Sequence, residues 1–204
     1  MTVTAHQSAI GIFLTAVFFL LITPGPGVLS TAGVGSAYGA RAGYRYVAGL
    51  CIGTNLVALA VVSGVAALVL AQPALRSLLM YASVAYLCYL AFRIAFAGST
   101  ISFIQCARAP GIRDALILQA INPKAYVVNT ALFTGFTFIG MPLWQETLWK
   151  FLLINLVWVP IHLLWLAAGI GLQKLALPLH WQRLINVLMA LSLLMVVFLA
   201  VAMG

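Results

Sequence analysis

The residues best suited to bind a small substrate lie where two apolar runs are interrupted. The first interruption, Pro24, Gly25, Pro26 and Gly27, falls inside an apolar run from about residue 9 to about residue 37. Prolines remove backbone donors and glycines loosen the backbone, so a helix is expected to break there. A helix that restarts after this cluster presents free N–H groups and the positive end of its dipole, which suit a carboxylate. A structural kink that lets helices pack closely is the alternative.

The second interruption, Asn122, Pro123 and Lys124, lies about a hundred residues later in another apolar run. A lysine near hydrocarbon is costly unless it snorkels to the interface, pairs with an acid or lines a cavity. Snorkelling and a substrate contact therefore both stay open. Helix breaks inside a membrane are tolerated where protein or a water-filled cavity satisfies the backbone. Paired breaks in the two halves of a chain indicate a binding site.

Two titratable side chains within or beside the apolar runs are candidates for carrying a proton. Asp114 opens the fourth apolar run, where it either stabilises the N-terminus of its helix or carries a proton across the membrane. The other acidic residue, Glu146, is predicted to lie solvated in an external loop. His162 shares a helix face with Trp158, four residues before it, and Trp165, three residues after it. It is either a buried structural histidine or a proton site on this aromatic face.

Two further polar residues, Asn55 and Asn155, lie among apolar neighbours. Interhelical hydrogen bonds are the ordinary explanation for such residues in a membrane, and Asn55 is also a candidate for substrate contact. Gly49 and Gly53 form a G-x-x-x-G pattern, which lets helices approach each other closely and indicates packing rather than chemistry.

The composition sets the class of protein that must position these residues. The chain has 204 residues, of which 65% are hydrophobic and 6% charged, against about 25% charged in soluble domains. It is therefore predicted to be an all-α integral membrane protein. Its net charge of +8 comes from single basic residues between apolar runs, which is typical of topology signals rather than of nucleic-acid binding. The sequence has no metal-ligand cluster, phosphate loop or paired carboxylates, so no enzyme activity, metal or cofactor is expected.

Six transmembrane helices are predicted, at about residues 8–35, 46–71, 77–97, 114–139, 150–172 and 183–203. Seven basic residues fall in the loops after the odd spans and two on the opposite side. This bias places the odd loops in the cytoplasm and both termini outside. The chain, 1–204, is interpreted as one transmembrane transporter domain. Its halves, about 1–100 and 108–204, are predicted to be inverted three-helix repeats, each with one broken helix.

Together these motifs resemble the LysE/RhtB family of amino-acid exporters over nearly the whole chain. The family's PGP motif matches residues 24–26 and its NPK motif matches residues 122–124. Similar segments also occur at residues 39–43, 49–53, 86–93 and 183–186. The family often has glycine where this chain has Ser83, Ala115 and Ala190. These are small-for-small changes that should preserve packing.

The resemblance implies proton-coupled export of amino acids or close derivatives from the cytoplasm across the bacterial inner membrane. The substrate carboxylate is expected at the two breaks, its side chain against the tryptophan face, and the coupling proton on Asp114 or His162. No acidic cluster marks a site for cationic side chains, which favours neutral amino acids as substrates. A passive channel for small metabolites and a non-transporting membrane subunit are the alternatives. The small-residue faces permit a homodimer.

Overall fold

The structure is a computed structural model that describes residues 2–23, 25–96, 108–138, 140–175 and 178–202, and every regular element in these ranges is a helix. The helices are α1 Thr2–Ile22, α2 Pro26–Val62, α3 Val65–Ala71, α4 Pro73–Ala95, α5 Ile112–Ile121, α6 Pro123–Thr134, α7 Leu143–Lys174 and α8 Leu179–Ala202. Among the described helical stretches, three are long and apolar enough to cross a membrane: Pro26–Val62, Pro73–Ala95 and Leu143–Leu172. The protein is therefore an all-helical, multi-pass membrane protein. The six-helix inverted repeat stays a prediction.

The first proline cluster separates two consecutive helices. Helix α1 ends at Ile22 and α2 begins at Pro26. The Thr23 hydroxyl donates to Phe19 O at 2.6 Å and so satisfies one of the last carbonyls of α1. Gly25 is extended, with φ −161°. Pro26 occupies the first turn of α2, where its missing N–H leaves no bond unmade.

The second proline motif separates α5 from α6 in a similar way. Asn122 lies between the two helices with an extended ψ of 106°. Its side-chain oxygen accepts a hydrogen bond from the Lys124 backbone N–H at 3.1 Å. This is the geometry of a helix N-cap, and Pro123 again fills the first helical position. Each motif therefore ends one helix and begins the next.

Helix α2 consists of two helical segments that meet at a kink. The loop predicted at about residues 36–45 is shorter than expected, because only Gly39, with φ +77° and ψ −173°, departs from helical geometry between Pro26 and Val62. This segment contains no proline, and glycine accepts a positive φ without strain. The chain therefore leaves the helix at Gly39 and resumes it at once. Helix α2 ends at a turn formed by Ser63 and Gly64, and Gly64 has a φ of +78°.

The core is built around α2, which packs against both α5 and α7. Glycines allow these close approaches, because a Cβ on Gly49 would lie 2.5 Å from Ile112 O and one on Gly169 would overlap Ala32 O. The G-x-x-x-G pattern of α2 thus faces α5. The largest side chains of the central core, all almost fully buried, are Tyr46, Leu50, Leu90, Ile94, Leu118, Trp158 and Leu166.

Candidate functional site

A cavity of about 60 Å³ lies where the starts of α2 and α6 meet the middle of α7. One water needs roughly 10–15 Å³ of such space, so the cavity holds a few waters at most in this conformation. Its polar wall comprises Thr23, Gly25, Gly27, Thr54, Gln119, Asn122, Lys124, Asn129 and His162. Its apolar wall comprises Leu20, Leu21, Val28, Ala125, Val128, Leu132, Ile154 and Trp158. Both helix interruptions therefore contribute to one site.

Lys124 joins the two interruptions. Its Nζ donates to Thr23 O at 2.7 Å, across 101 residues of sequence. The stem of Lys124 packs on Gly25, where a Cβ would lie only 2.8 Å from Lys124 Cδ. Glycine at this position therefore makes room for the lysine, and the half-buried ammonium group lines the cavity.

The N-terminus of α2 adds backbone donors to the same wall. The first α2 hydrogen bond runs from Leu29 N to Gly25 O at 3.1 Å, and an α-helix leaves the N–H groups of its first turn without helical partners. Gly27 and Val28 belong to this first turn and line the cavity. A lysine cation beside the positive end of a helix dipole favours an anion at this end of the cavity.

The polar side chains around the second interruption supply hydrogen-bond acceptors. Asn122 Nδ2 donates to Gln119 Oε1 at 3.0 Å. Asn129 Nδ2 donates to Ala125 O at 2.7 Å, which leaves its side-chain oxygen available as an acceptor. Sequence reasoning did not select Gln119 and Asn129. The available signal was that both interrupt an apolar run close to Asn122, three residues before it and seven after it.

His162 and Trp158 form a stacked pair on α7. Their ring centroids are 3.5 Å apart with an interplanar angle of 13°. The His162 Nδ1 lies 3.0 Å from Trp158 O, and because a carbonyl can only accept, this nitrogen carries a proton. The Nε2 faces α2, where a Cβ on Gly27 would lie 3.4 Å from it. In the neutral imidazole, Nε2 is therefore a hydrogen-bond acceptor at the cavity wall.

The other expected substrate contacts that the structure describes do not line this cavity. Asn55 and Asn155 form a reciprocal amide pair at 2.9 and 2.8 Å, and the neighbouring Thr54 lines the cavity instead. Trp165 is half-buried and is absent from the cavity lining. Pro26 and Pro123 begin helices without lining the cavity. Pro24 lies outside the described residues.

Asp114 also lies outside the cavity lining, in a cluster of ion pairs. Its Oδ2 accepts a hydrogen bond from Gly111 N at 2.8 Å and caps α5. Its carboxylate oxygens lie 3.7 Å from Arg93 Nη1 and 3.9 Å from Arg108 Nη2. The backbone carbonyl of Asp114 accepts from Tyr86 OH at 2.8 Å. Its assignment as a proton carrier stays a prediction.

Glu146 corrects an expectation, because it is buried rather than solvated. Only 6% of Glu146 and 1% of Lys150 are exposed, and Glu146 Oε1 lies 2.6 Å from Lys150 Nζ. Lys150 also donates to Phe133 O at 2.9 Å and Phe136 O at 2.5 Å, while Glu146 Oε2 accepts from Phe138 N at 3.2 Å. The pair thus ties the start of α7 to the segment after α6. Its only sequence signal was the four-residue spacing of an acid and a base.

Comparison with known proteins identifies the family of this chain. A family model described as LysE type translocator matches residues 18–204. A leucine efflux protein of Enterobacter sp. (strain 638) is 28% identical over 131 residues, 61% of either chain. One of Salmonella choleraesuis (strain SC-B67) is 27% identical over 135 residues, 64% of either chain. The matched part thus spans less than two thirds of these relatives' length. No solved structure matches the chain.

Proposed function

The chain belongs to the family of LysE type translocators, and from this premise we propose that it is a secondary active exporter of neutral, apolar amino acids. Members of this family are translocators, so the chain is a transporter and not an enzyme. The matched relatives are named leucine efflux proteins. The observation that carries the proposal is a cavity with a cation at one end and aliphatic side chains along the other wall.

The substrate carboxylate binds at the cationic end. Lys124 lines the cavity together with Gly27 and Val28 of the first turn of α2, and charge-assisted hydrogen bonds to a carboxylate are about twice as strong as neutral ones. The Lys124–Thr23 hydrogen bond holds the cation between the two interruptions when no substrate is bound. A carboxylate would take over part of this interaction.

The ammonium and the side chain of the substrate occupy the remaining walls. The side-chain oxygen of Asn129 and the Nε2 of neutral His162 are acceptors suited to the ammonium. The aliphatic side chain packs on Val128, Leu132 and Ile154. Among the described residues that line the cavity none is acidic, so a lysine or arginine substrate would bury its second cation without a partner. Neutral amino acids therefore fit best.

His162 couples transport to the proton gradient in this proposal. When neutral, its Nε2 accepts a hydrogen bond from the substrate ammonium. A proton arriving from the outside would turn this acceptor into a donor and a second cation beside Lys124, which expels the ammonium. Substrate moves out as the proton moves in, which is antiport. Asp114 is the alternative carrier, although it lies in the ion-pair cluster with Arg93 and Arg108.

Transport also requires the cavity to enlarge, since its volume of about 60 Å³ holds only a few waters. We propose that the two halves of the chain rock against each other as inverted repeats around the site. In this arrangement the protein spans the bacterial inner membrane with both termini outside. The segments that follow the first, third and fifth predicted spans face the cytoplasm, as their basic residues indicate.

The test is efflux from proteoliposomes preloaded with labelled leucine, valine, alanine or lysine, with and without an imposed pH gradient. We expect saturable efflux of leucine and valine that an inwardly directed proton gradient accelerates, and little efflux of lysine. His162→Gln should retain saturable efflux and lose its response to the gradient. The matched control is His180→Gln, because His180 is exposed on α8 and should respond normally.

Two results would contradict the proposal in different ways. Efflux that is linear in substrate concentration and never concentrates the substrate would identify a passive channel. A His162→Gln protein whose efflux still responds fully to the pH gradient would remove His162 as the carrier and leave Asp114→Asn as the next variant to measure.

A further inference from the structure

A second and larger cavity lies at one end of the helix bundle, away from the substrate site. Its volume is about 920 Å³, and it lies between the middle of α2 and the start of α5. Four of its lining residues are arginines: Arg41, Arg45, Arg108 and Arg113. All four are exposed. The remaining lining residues are Tyr38, Ala42, Ala109, Pro110, Gly111, Ile112 and Leu116.

Within the described residues, the chain has an acidic partner for only one of these four arginines, Arg108. It has only two acidic residues, Asp114 and Glu146. Glu146 is buried against Lys150 at 2.6 Å. Asp114 pairs with Arg93 and Arg108 and also caps α5. Arg41, Arg45 and Arg113 therefore have no acidic side chain left to pair with in the described structure, and a guanidinium cluster is well matched by a phosphate group.

An apolar groove adjoins the arginine cavity. Its volume is about 380 Å³, and it is lined by Gly53, Leu56, Val57 and Ala60 of α2, by Leu116, Ile117 and Ala120 of α5, and by Tyr126 of α6. Leu116 lines both the cavity and the groove. The basic cavity and the apolar groove thus share one lining residue.

The distance along α2 from the arginine cavity to the end of the apolar groove is close to the thickness of one membrane leaflet. The groove residues of α2 lie 8 to 15 positions after Arg45, which is about 12–22 Å along a helix that rises 1.5 Å per residue. Half of the hydrocarbon core of a bilayer is about 15 Å thick. A phosphate held at Arg41 and Arg45 would therefore place an acyl chain along the groove. A free phosphate would use the arginines alone.

We propose that this composite site binds an anionic phospholipid, with its phosphate among the four arginines and an acyl chain in the groove between α2 and α5. Basic pockets between transmembrane helices are known to recognise anionic headgroups. Basic residues that only set topology need no cavity and no adjoining groove. The lipid would hold α2 and α5 together.

Titration of delipidated, detergent-solubilised protein with phosphatidylglycerol, phosphatidylcholine or inorganic phosphate tests the site, with bound lipid counted by native mass spectrometry. Each basic residue near an anionic headgroup strengthens binding about five-fold. Arg41→Gln with Arg45→Gln should therefore weaken phosphatidylglycerol binding about thirty-fold. The control pair, Lys174→Gln with Arg183→Gln, removes two exposed basic residues outside the cavity and should bind like the original protein.

A groove variant separates a lipid from a free anion. Ala60→Phe fills the groove and should weaken phosphatidylglycerol binding, whereas Ala168→Phe, on an exposed face of α7, should not. Equal binding of phosphatidylglycerol and phosphatidylcholine would overturn the proposal, as would equal losses in the two double variants. Inorganic phosphate that displaces the lipid, combined with an Ala60→Phe protein that binds normally, would assign the site to a soluble phosphate instead.

Discussion

Lys124 and Lys150 are two lysines of the second half of the chain, and both lie among apolar segments with different partners. Each donates to backbone carbonyls near the end of a helix: Lys124 to Thr23 O and Lys150 to Phe133 O and Phe136 O. Lys150 is almost fully buried and has Glu146 at 2.6 Å. Lys124 is half-buried and lines the cavity.

The two lysines differ in that, in the part of the chain that the structure describes, only Lys150 has a carboxylate, that of Glu146, beside it. Within the described structure, both acids of the chain are engaged elsewhere, Asp114 with arginines and Glu146 with Lys150. Lys124 therefore has no acidic side chain beside it among the described residues, and it lines the cavity proposed as the substrate site. Lys150 contributes to the fold, and Lys124 is available for binding. Each of the following predictions tests this division.

Lys150→Met should give the largest effect, and the effect should be on stability. It leaves the Glu146 carboxylate buried without its cation, and breaking a buried ion pair in this way costs about 3–5 kcal/mol. Thermal unfolding in detergent measures the loss. The double variant Glu146→Leu with Lys150→Met removes both charges and should recover much of the stability. A single variant as stable as the original protein would show that the buried pair contributes little.

Lys124→Met should reduce transport much more than stability. Losing a hydrogen bond to a charged group costs about 1.5–3 kcal/mol, which corresponds to roughly ten- to hundred-fold lower efflux at limiting substrate. Lys124→Arg should retain part of the activity, because its charge persists while its shape differs. Lys174→Met, at an exposed position, is the control. Normal leucine efflux by correctly folded Lys124→Met protein would exclude the lysine from substrate binding.

Gly25→Ala should act on transport through Lys124. The added Cβ would lie 2.8 Å from Lys124 Cδ, so the lysine stem must shift. Displacing a binding group by about 1 Å can lower a rate by up to about a hundred-fold. Because a lysine stem is flexible, we expect efflux at limiting substrate to fall about ten-fold, mainly through a higher KM. Gly171→Ala is the control, since nothing lies within 4 Å of its added Cβ. Equal KM values for both variants would contradict the packing of Lys124 on Gly25.

The sequence predicts much of this site because its strongest signals are local. Proline and glycine inside apolar runs mark the ends of α1 and α5 without any tertiary information, and they lead directly to Gly25 and Lys124. His162 and Trp158 follow from helical spacing alone. These features depend on neighbours in the chain, and the structure brings them to one cavity.

The rest depends on contacts between distant segments. Glu146 is buried where the chain after α6 brings Phe138 N to its carboxylate. No local sequence pattern predicts this contact between the two segments. The helical segment that holds Arg41 and Arg45 begins directly after a kink at Gly39, and the sequence predicted a longer loop there. Asn55 was selected for its polarity, but polarity alone cannot distinguish a cavity wall from the amide pair that it forms with Asn155.

The Asn55–Asn155 pair offers the mildest comparison with Lys124, because it is a polar contact between helices in which each amide satisfies the other. Hydrogen bonds between transmembrane helices average about 0.6 kcal/mol, so Asn55→Ala should lower stability by about 1 kcal/mol for its two bonds. A double-mutant cycle with Asn155→Ala should show that the two losses are not additive. Leucine efflux per folded molecule should stay unchanged, because neither residue lines the cavity. A selective rise in KM would instead place Asn55 at the substrate, and the distinction between polar residues that bind and those that hold helices together would have to be redrawn.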